Sequence, residues 1–238
     1  MLLLNDSKLS TTLMTAYGTF AQWEQTDTFW SSPLETALNA PFADVKRYCE
    51  FDARMIPKPP EALQALRSLL IEIIQKHSYQ IEQEWGPLTK NLEQLMDRGN
   101  GPVLRISIYP AGLIGIVNHP HNDIDLFTVI PSATQPGLEI ESDDCWKSVK
   151  IASNELILLS GELIHAFGGP QPTLHRVVSN GSLRMSASLF VNADPALQIN
   201  GTSVGSLVAQ RLAHVRGEHH EVQHRNQDDG EPDHPSSS

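Results

Sequence analysis

Residues 102–131 read Pro-Val-Leu-Arg-Ile-Ser-Ile-Tyr-Pro-Ala-Gly-Leu-Ile-Gly-Ile-Val-Asn-His-Pro-His-Asn-Asp-Ile-Asp-Leu-Phe-Thr-Val-Ile-Pro. Short runs of branched and aromatic residues alternate here with turn formers, the texture of β-strands joined by tight connections. That texture continues to residue 191. Strands are predicted over 103–109, 113–117, 124–130, 138–140, 146–151, 155–160, 176–179 and 184–191. Pro110-Ala111-Gly112, Gln135-Pro136-Gly137 and Gly168-Gly169-Pro170 fall between them as turns. Strands at this spacing make a sandwich or a barrel, with the jelly-roll among the options.

Upstream the period changes. After Pro59, well placed for a helix start, Leu63, Leu66, Leu70, Ile73, Ile74, His77 and Ile81 recur at three- and four-residue spacing. This predicts one buried stripe of a long amphipathic helix, with Glu72 and Lys76 turned outward and His77 packed in the core. Gly86-Pro87 breaks it, and Leu88, Leu92, Leu95 and Met96 predict a second short helix ending at Gly99-Asn100-Gly101. The first hundred residues therefore read as helical, and residues 203–216 as a closing helix. Residues 217–238 hold six acids against Arg225 alone, with four histidines and a Pro-Ser-Ser-Ser end. Almost nothing there can be buried, which predicts a disordered tail. The expected organisation is one domain over 1–216: mainly helical support over 1–100, a β core over 101–194 and a closing segment over 195–216.

Composition narrows the function classes. With 40% hydrophobic residues in 238, the chain can bury a core, and with a formal net charge of −11 it lacks the basic surface that tracks nucleic acid. Cys49 and Cys145 are its two cysteines, which excludes a disulfide scaffold and a four-thiolate zinc site. The apolar start Met1-Leu2-Leu3-Leu4 has no basic flank and ends at Asn5, unlike a signal peptide. The later apolar runs fall far short of the ~20 residues of a membrane span. A cytoplasmic protein with a small-molecule partner is expected.

The chemistry concentrates in His119-Pro120-His121-Asn122-Asp123-Ile124-Asp125. Side chains two apart on a strand share a face, so a strand here would project His121 and Asp123 together. With a distant third ligand they would form the two-histidine, one-carboxylate face of non-haem iron(II) oxygenases. His-x-Asp alone is equally compatible with a structural ion pair.

Further features follow in a fixed order. Arg105-Ile106-Ser107-Ile108-Tyr109-Pro110 precedes the triplet; His175 opens a late strand, and Arg184-Met185-Ser186 starts nine residues after it. Over residues 103–194 this set resembles the isopenicillin-N-synthase-like 2-oxoglutarate- and iron(II)-dependent dioxygenases. The resemblance implies a mainly β fold with flanking helices, a double-stranded β-helix (jelly-roll) core behind an N-terminal helical region. It implies iron(II) on His121, Asp123 and His175, and 2-oxoglutarate gripped at its far carboxylate by Arg184, Ser186 and Tyr109. A guanidinium fork beside a hydroxyl suits a planar carboxylate. The implied activity consumes dioxygen, converts 2-oxoglutarate to succinate and carbon dioxide, and hydroxylates, desaturates or cyclises a small molecule of specialised metabolism.

Departures from the family pattern mark three further candidates. Ser107 stands where asparagine is common, at the iron-binding end of the cosubstrate. His165 lies in a shortened segment between Gly161 and His175, as a supporting or substrate-facing group. Asp125 is expected on the same strand face as His119, His121 and Asp123, either supporting the site or solvated at the barrel mouth. Much of the family's N-terminal strand-containing segment is expected to be missing or replaced. Two other readings use the same residues: a cupin-like metal enzyme with His119, His121, Asp125 and His175 and no cosubstrate, and a barrel that binds a small molecule without catalysis.

Overall fold

The chain is described by a computed structural model over residues 1–23, 44–54, 58–86 and 88–215. The predicted tail and the Pro87 helix break lie outside the described residues. Eight strands form the core: β3 (Val103–Tyr109), β4 (Ile114–His121), β5 (Phe127–Pro131), β6 (Leu138–Ser142), β7 (Cys145–Ser148), β8 (Glu155–Ser160), β9 (His175–Asn180) and β10 (Arg184–Val191). They build two antiparallel sheets, one ordered β8-β5-β10-β3 and the other β4-β9-β6-β7. Chain-neighbouring strands are shared between the two sheets, so the connections wrap the sandwich in the manner of a jelly-roll.

Two strands extend the larger sheet, β1 (Leu2–Asn5) against β8 and β2 (Arg47–Phe51) against β3. Both add strands to a first hundred residues whose sequence reads as mainly helical. At four and five residues they are too short for periodicity to register, and the apolar start of the chain is an edge strand burying Leu2 and Leu4.

Helix α1 (Leu9–Trp23) and the long α2 (Glu61–Trp85) pack on the outer face of that sheet. The stripe of α2 buries Leu63, Leu66, Leu70, Ile73, Ile74 and Ile81, together with Leu69 and Trp85. His77 lies at the stripe's edge rather than in the core, its Nδ1 3.1 Å from Gln80 Oε1. The second predicted helix shrinks to one turn, α3 (Leu92–Leu95), capped by Asn91, whose Oδ1 accepts from Gln94 N at 2.9 Å. α4 (Glu162–Ala166) and the closing α5 (Val204–Val215) complete the set, with the β11 (Gln198–Ile199) and β12 (Thr202–Ser203) hairpin before α5. Tyr17 of α1 pins the helix layer to the sheet: its hydroxyl donates to Ser132 O (2.9 Å) and accepts from Ala187 N (3.1 Å). Among the described residues no helix is long and apolar enough to cross a membrane.

The strand period fixes what faces where. On β3 and β10 the residues Leu104, Ile106, Ile108, Ala187, Leu189 and Val191 join the core under the helices. Their alternates point into the sandwich. At one end of the interior Ile130, Leu138, Ile157 and Leu159 cluster; nearer the site, Tyr109, Val117 and Val177 join the two sheets.

Candidate active site

β4 ends at His121, and residues 122–126 form the loop to β5. The shared strand face expected for His119, His121, Asp123 and Asp125 is therefore not present. Pro120 cannot donate to the ladder, and the register of β4 against β9 shifts twice before His121. His121 then sits opposite His175, the first residue of β9. The loop turns Asp123 back onto this pair, held by its carbonyl accepting from Glu162 N at 2.8 Å.

The result is a compact donor set. His121 Nε2 lies 3.7 Å from Asp123 Oδ1, and His175 Nε2 lies 3.6 Å from Asp123 Oδ2. The two imidazole centroids are 4.3 Å apart. All three ligand atoms fall within 4.8 Å of one another, the one such His/Cys/Asp/Glu group found among the described residues. Each imidazole is fixed through its other nitrogen: His121 Nδ1 is 2.7 Å from His119 O, and His175 Nδ1 is 2.9 Å from Thr173 O. A carbonyl can only accept, so each Nδ1 carries a hydrogen and each Nε2 is the ring nitrogen turned toward Asp123. Burial, then the neighbouring His175, push the basicity of His121 below its ordinary range despite the Asp123 carboxylate. Two imidazoles turned by their Nε2 atoms toward one carboxylate fit a divalent metal. The His175 side chain is 6% exposed and that of His121 36%, so the group opens on the His121 side.

Thr128, on the inner face of β5, carries no sequence signal as a site residue. Its hydroxyl contacts Asp123 Oδ2 and, at 3.0 Å, Asp125 Oδ2. Asp125 is buried rather than solvated at a mouth. Burial, then the adjacent Asp123, raise its pKa well above the usual carboxylate range. The Asp125 side chain thus meets the donor set through Thr128, and His119 turns toward Asp44, its Nδ1 3.7 Å from Asp44 Oδ1.

Arg184 opens β10 opposite Tyr109 on β3, and Ser186 stands opposite Ser107. All four are buried on the inner face. The guanidinium carbon of Arg184 lies 5.2 Å from the Tyr109 ring centre, and its Nε donates to Gln135 O at 3.1 Å. Arg184 is only 4% exposed, yet its buried Nη1 has no hydrogen-bond partner. An unpaired buried donor on a cation is costly unless an anion completes it. Gly137 (φ +142°) packs close beside it: an added Cβ would stand 2.5 Å from Val178 O and 3.5 Å from Arg184 Nε. The wall thus fits a carboxylate-bearing cosubstrate.

His165 lies elsewhere. It is exposed on α4, with Nδ1 3.2 Å from Gly169 O and Nε2 3.3 Å from Gln171 Nε2. Behind the Asp123 loop, Ile124, Leu163, Ile199, Leu207, Val208 and the Glu162–Arg211 ion pair line a cavity of about 430 Å³ that includes none of His121, Asp123 and His175.

Residues 111–193 match the 2OG-Fe(II) oxygenase superfamily. It is 36% identical over 121 residues to gibberellin 3-beta-dioxygenase 3 of Arabidopsis thaliana, a match covering 48% of this chain and 33% of that protein. A second Arabidopsis protein, gibberellin 2-beta-dioxygenase 7, is 33% identical over 88 residues, covering 36% of this chain and 26% of that protein. The chain thus spans a third or less of the curated relatives it matches. Among solved structures it resembles a putative oxygenase from Shewanella oneidensis (TM-score 0.72, 20% identity, 90% of this chain and 89% of that one). It also resembles a full-length Neurospora crassa protein solved in complex with alpha-KG (TM-score 0.64, 16% identity, 90% and 86%). At these identities the likeness is one of fold, the jelly-roll.

Proposed function

We propose that this chain is an Fe(II)- and 2-oxoglutarate-dependent dioxygenase that oxidises a small organic molecule, within a single domain over residues 1–216. The observation carrying the reading is the pairing of a donor set with both Nε2 atoms bared and a buried guanidinium with one donor unspent. In this reading His121, Asp123 and His175 hold iron(II), and Arg184, Ser186 and Tyr109 hold the far carboxylate of 2-oxoglutarate. When bound, iron and cosubstrate let dioxygen be split between 2-oxoglutarate, which becomes succinate and carbon dioxide, and a substrate C–H bond, which becomes an alcohol.

The protein's own contribution is positioning. The His119 and Thr173 carbonyls keep both imidazoles in the metal-binding tautomer, and Thr128 holds the Asp123 carboxylate. The Arg184 fork orients the cosubstrate by charge-assisted bonds, with the Tyr109 ring packed against the cation. The open His121 side leaves room for the substrate, and Ser107 on the same wall is a substrate- or cosubstrate-facing candidate. Desaturation and ring closure would use the same residues. Cys49 and Cys145 are both free, in keeping with a cytoplasmic setting.

The test is succinate release from 2-oxoglutarate by the purified chain with added iron(II), in air and under nitrogen, across a library of small organic substrates. Release that needs iron, dioxygen and the chain is expected. No iron-dependent 2-oxoglutarate consumption under any condition, with the protein folded, would overturn the proposal.

A further inference from the structure

The weak point of the site is the stretch leading into His121. Around Asn118, His119 and Pro120 the β4–β9 register shifts twice, and Pro120 offers no amide hydrogen. The ladder alone does not hold this stretch, yet the His119 carbonyl sets the His121 ring.

Residues 44–46, just before β2, supply what the ladder lacks. Val45 N donates to Val117 O at 2.9 Å. His119 N donates to Asp44 Oδ1 at 3.0 Å. Lys46 Nζ donates to Asn118 Oδ1 at 2.8 Å and to Asp44 Oδ2 at 2.9 Å. Three consecutive residues thus meet three consecutive residues of the irregular strand. Since β2 belongs to the larger sheet and β4 to the smaller, the contact also ties the two sheets together on the ligand side.

Lys46 is only 6% exposed, an unusual setting for an ammonium group. Burial raises the Asp44 carboxyl, but the Lys46 charge and hydrogen bond outweigh this and hold it below the ordinary carboxylate range. Its partner Asp44 is partly exposed, 37% for the side chain, so the pair adds little stability on balance, while its hydrogen bonds fix one geometry. Here that geometry is the path of residues 117–119.

We propose that the Lys46–Asp44 pair is a positioning device for the metal site: it fixes the His119 peptide, whose carbonyl in turn fixes the His121 imidazole. This rests on the reading of His121 as a metal ligand.

The experiment is a titration of the metal-stripped full chain with manganese(II) alone, followed by calorimetry, with Tm measured in parallel. Lys46→Met keeps the stem and removes the charge; it should weaken manganese binding about 10–100-fold, the range seen when partners behind ligands are removed. Asp44→Asn keeps an acceptor for His119 N–H and should cost less. The double variant should be no worse than Lys46→Met alone, because the two act as one unit. Leu66→Ala, in the distant α2 core, should lower Tm without moving manganese affinity. If both single variants bind manganese within about twofold of wild type whatever their Tm, the pair is merely structural and the proposal falls. If Lys46→Met does not fold, Asp44→Asn decides alone. Failure of the underlying reading looks different: wild type would bind no stoichiometric manganese, or His121→Ala would bind it unchanged, and either result would overturn both.

Discussion

The two faces of the β3–β10 pair share one backbone and divide the work. Outward, Leu104, Ile106, Ile108, Ala187, Leu189 and Val191 sink into the core beneath α1 and α2. Inward, on the alternate positions, Ser107, Tyr109, Arg184 and Ser186 line the interior, equally buried but polar. The outer face is satisfied: apolar groups meet apolar groups. On the inner face the Arg184 guanidinium is desolvated with a donor left over. An unmet buried polar group marks the face kept for a ligand, and the packed one marks the face that holds the strands in register.

The strongest attack on the inner side is at the donor set. Asp123→Ala removes the carboxylate between two Nε2 atoms and the acceptor for Thr128. Complete loss of iron-dependent 2-oxoglutarate turnover is expected, with loss of stoichiometric metal binding by calorimetry. Retained turnover would dissociate the donor set from the activity.

On the outer side, Leu189→Ala should destabilise by about 2–5 kcal/mol, the cost of a cavity in a well-packed core. Chemical denaturation measures it. The apparent 2-oxoglutarate affinity of the remaining folded protein should not change, although Ser186 and Ser188 lie within three residues on the same strand. A parallel loss of affinity would mean that the two faces are not independent.

Arg184→Gln reverses the pattern. Its neutral amide replaces two charged donors, so the 2-oxoglutarate requirement should rise roughly 10–100-fold, as for losing about 1.5–3 kcal/mol of charged hydrogen bonding. Its Tm should change little or rise, because an incompletely paired buried cation is removed. A fall in Tm without a change in 2-oxoglutarate KM would make Arg184 structural.

How legible each face was follows from its physics. Short apolar runs between turn formers bounded β3, β8 and β10 from sequence alone. Edge strands β1 and β2 carry too few residues for a period to emerge. His121, Asp123 and His175 stood out as residue types at a spacing, and the fold brings them together, but not by the strand alternation expected for His121 and Asp123. A strand end and a five-residue loop (residues 122–126) bring them together. Thr128, Lys46 and Asp44 gave no signal. A threonine in a strand and a Lys-Asp pair near a loop are ordinary until the fold shows that they are buried against the ligands.

The smallest expected effect concerns Asp125, where the inner face looks least satisfied. Thr128 has one hydroxyl hydrogen and contacts both Asp123 and Asp125. Asp123 must be ionised to bind a metal, so Thr128 gives its hydrogen there, and the contact to Asp125 requires Asp125 to donate. A protonated Asp125 agrees with its upward pKa shift, caused by burial first and by Asp123 second. Asparagine keeps that shape and that donor, so Asp125→Asn should stay close to wild type in turnover and metal affinity. The pH dependence provides the sharper check. Above the ordinary value of 3.8 the unfolded carboxyl releases its proton while the folded one retains it, so this group makes wild-type stability fall as pH rises from there. Asp125→Asn lacks that contribution. Its stability relative to wild type should therefore improve as pH is raised above about 4, read by denaturation at a series of pH values. A difference that is flat with pH, or that runs the other way, would show that Asp125 is ionised in the fold and that Thr128 is shared by two carboxylates.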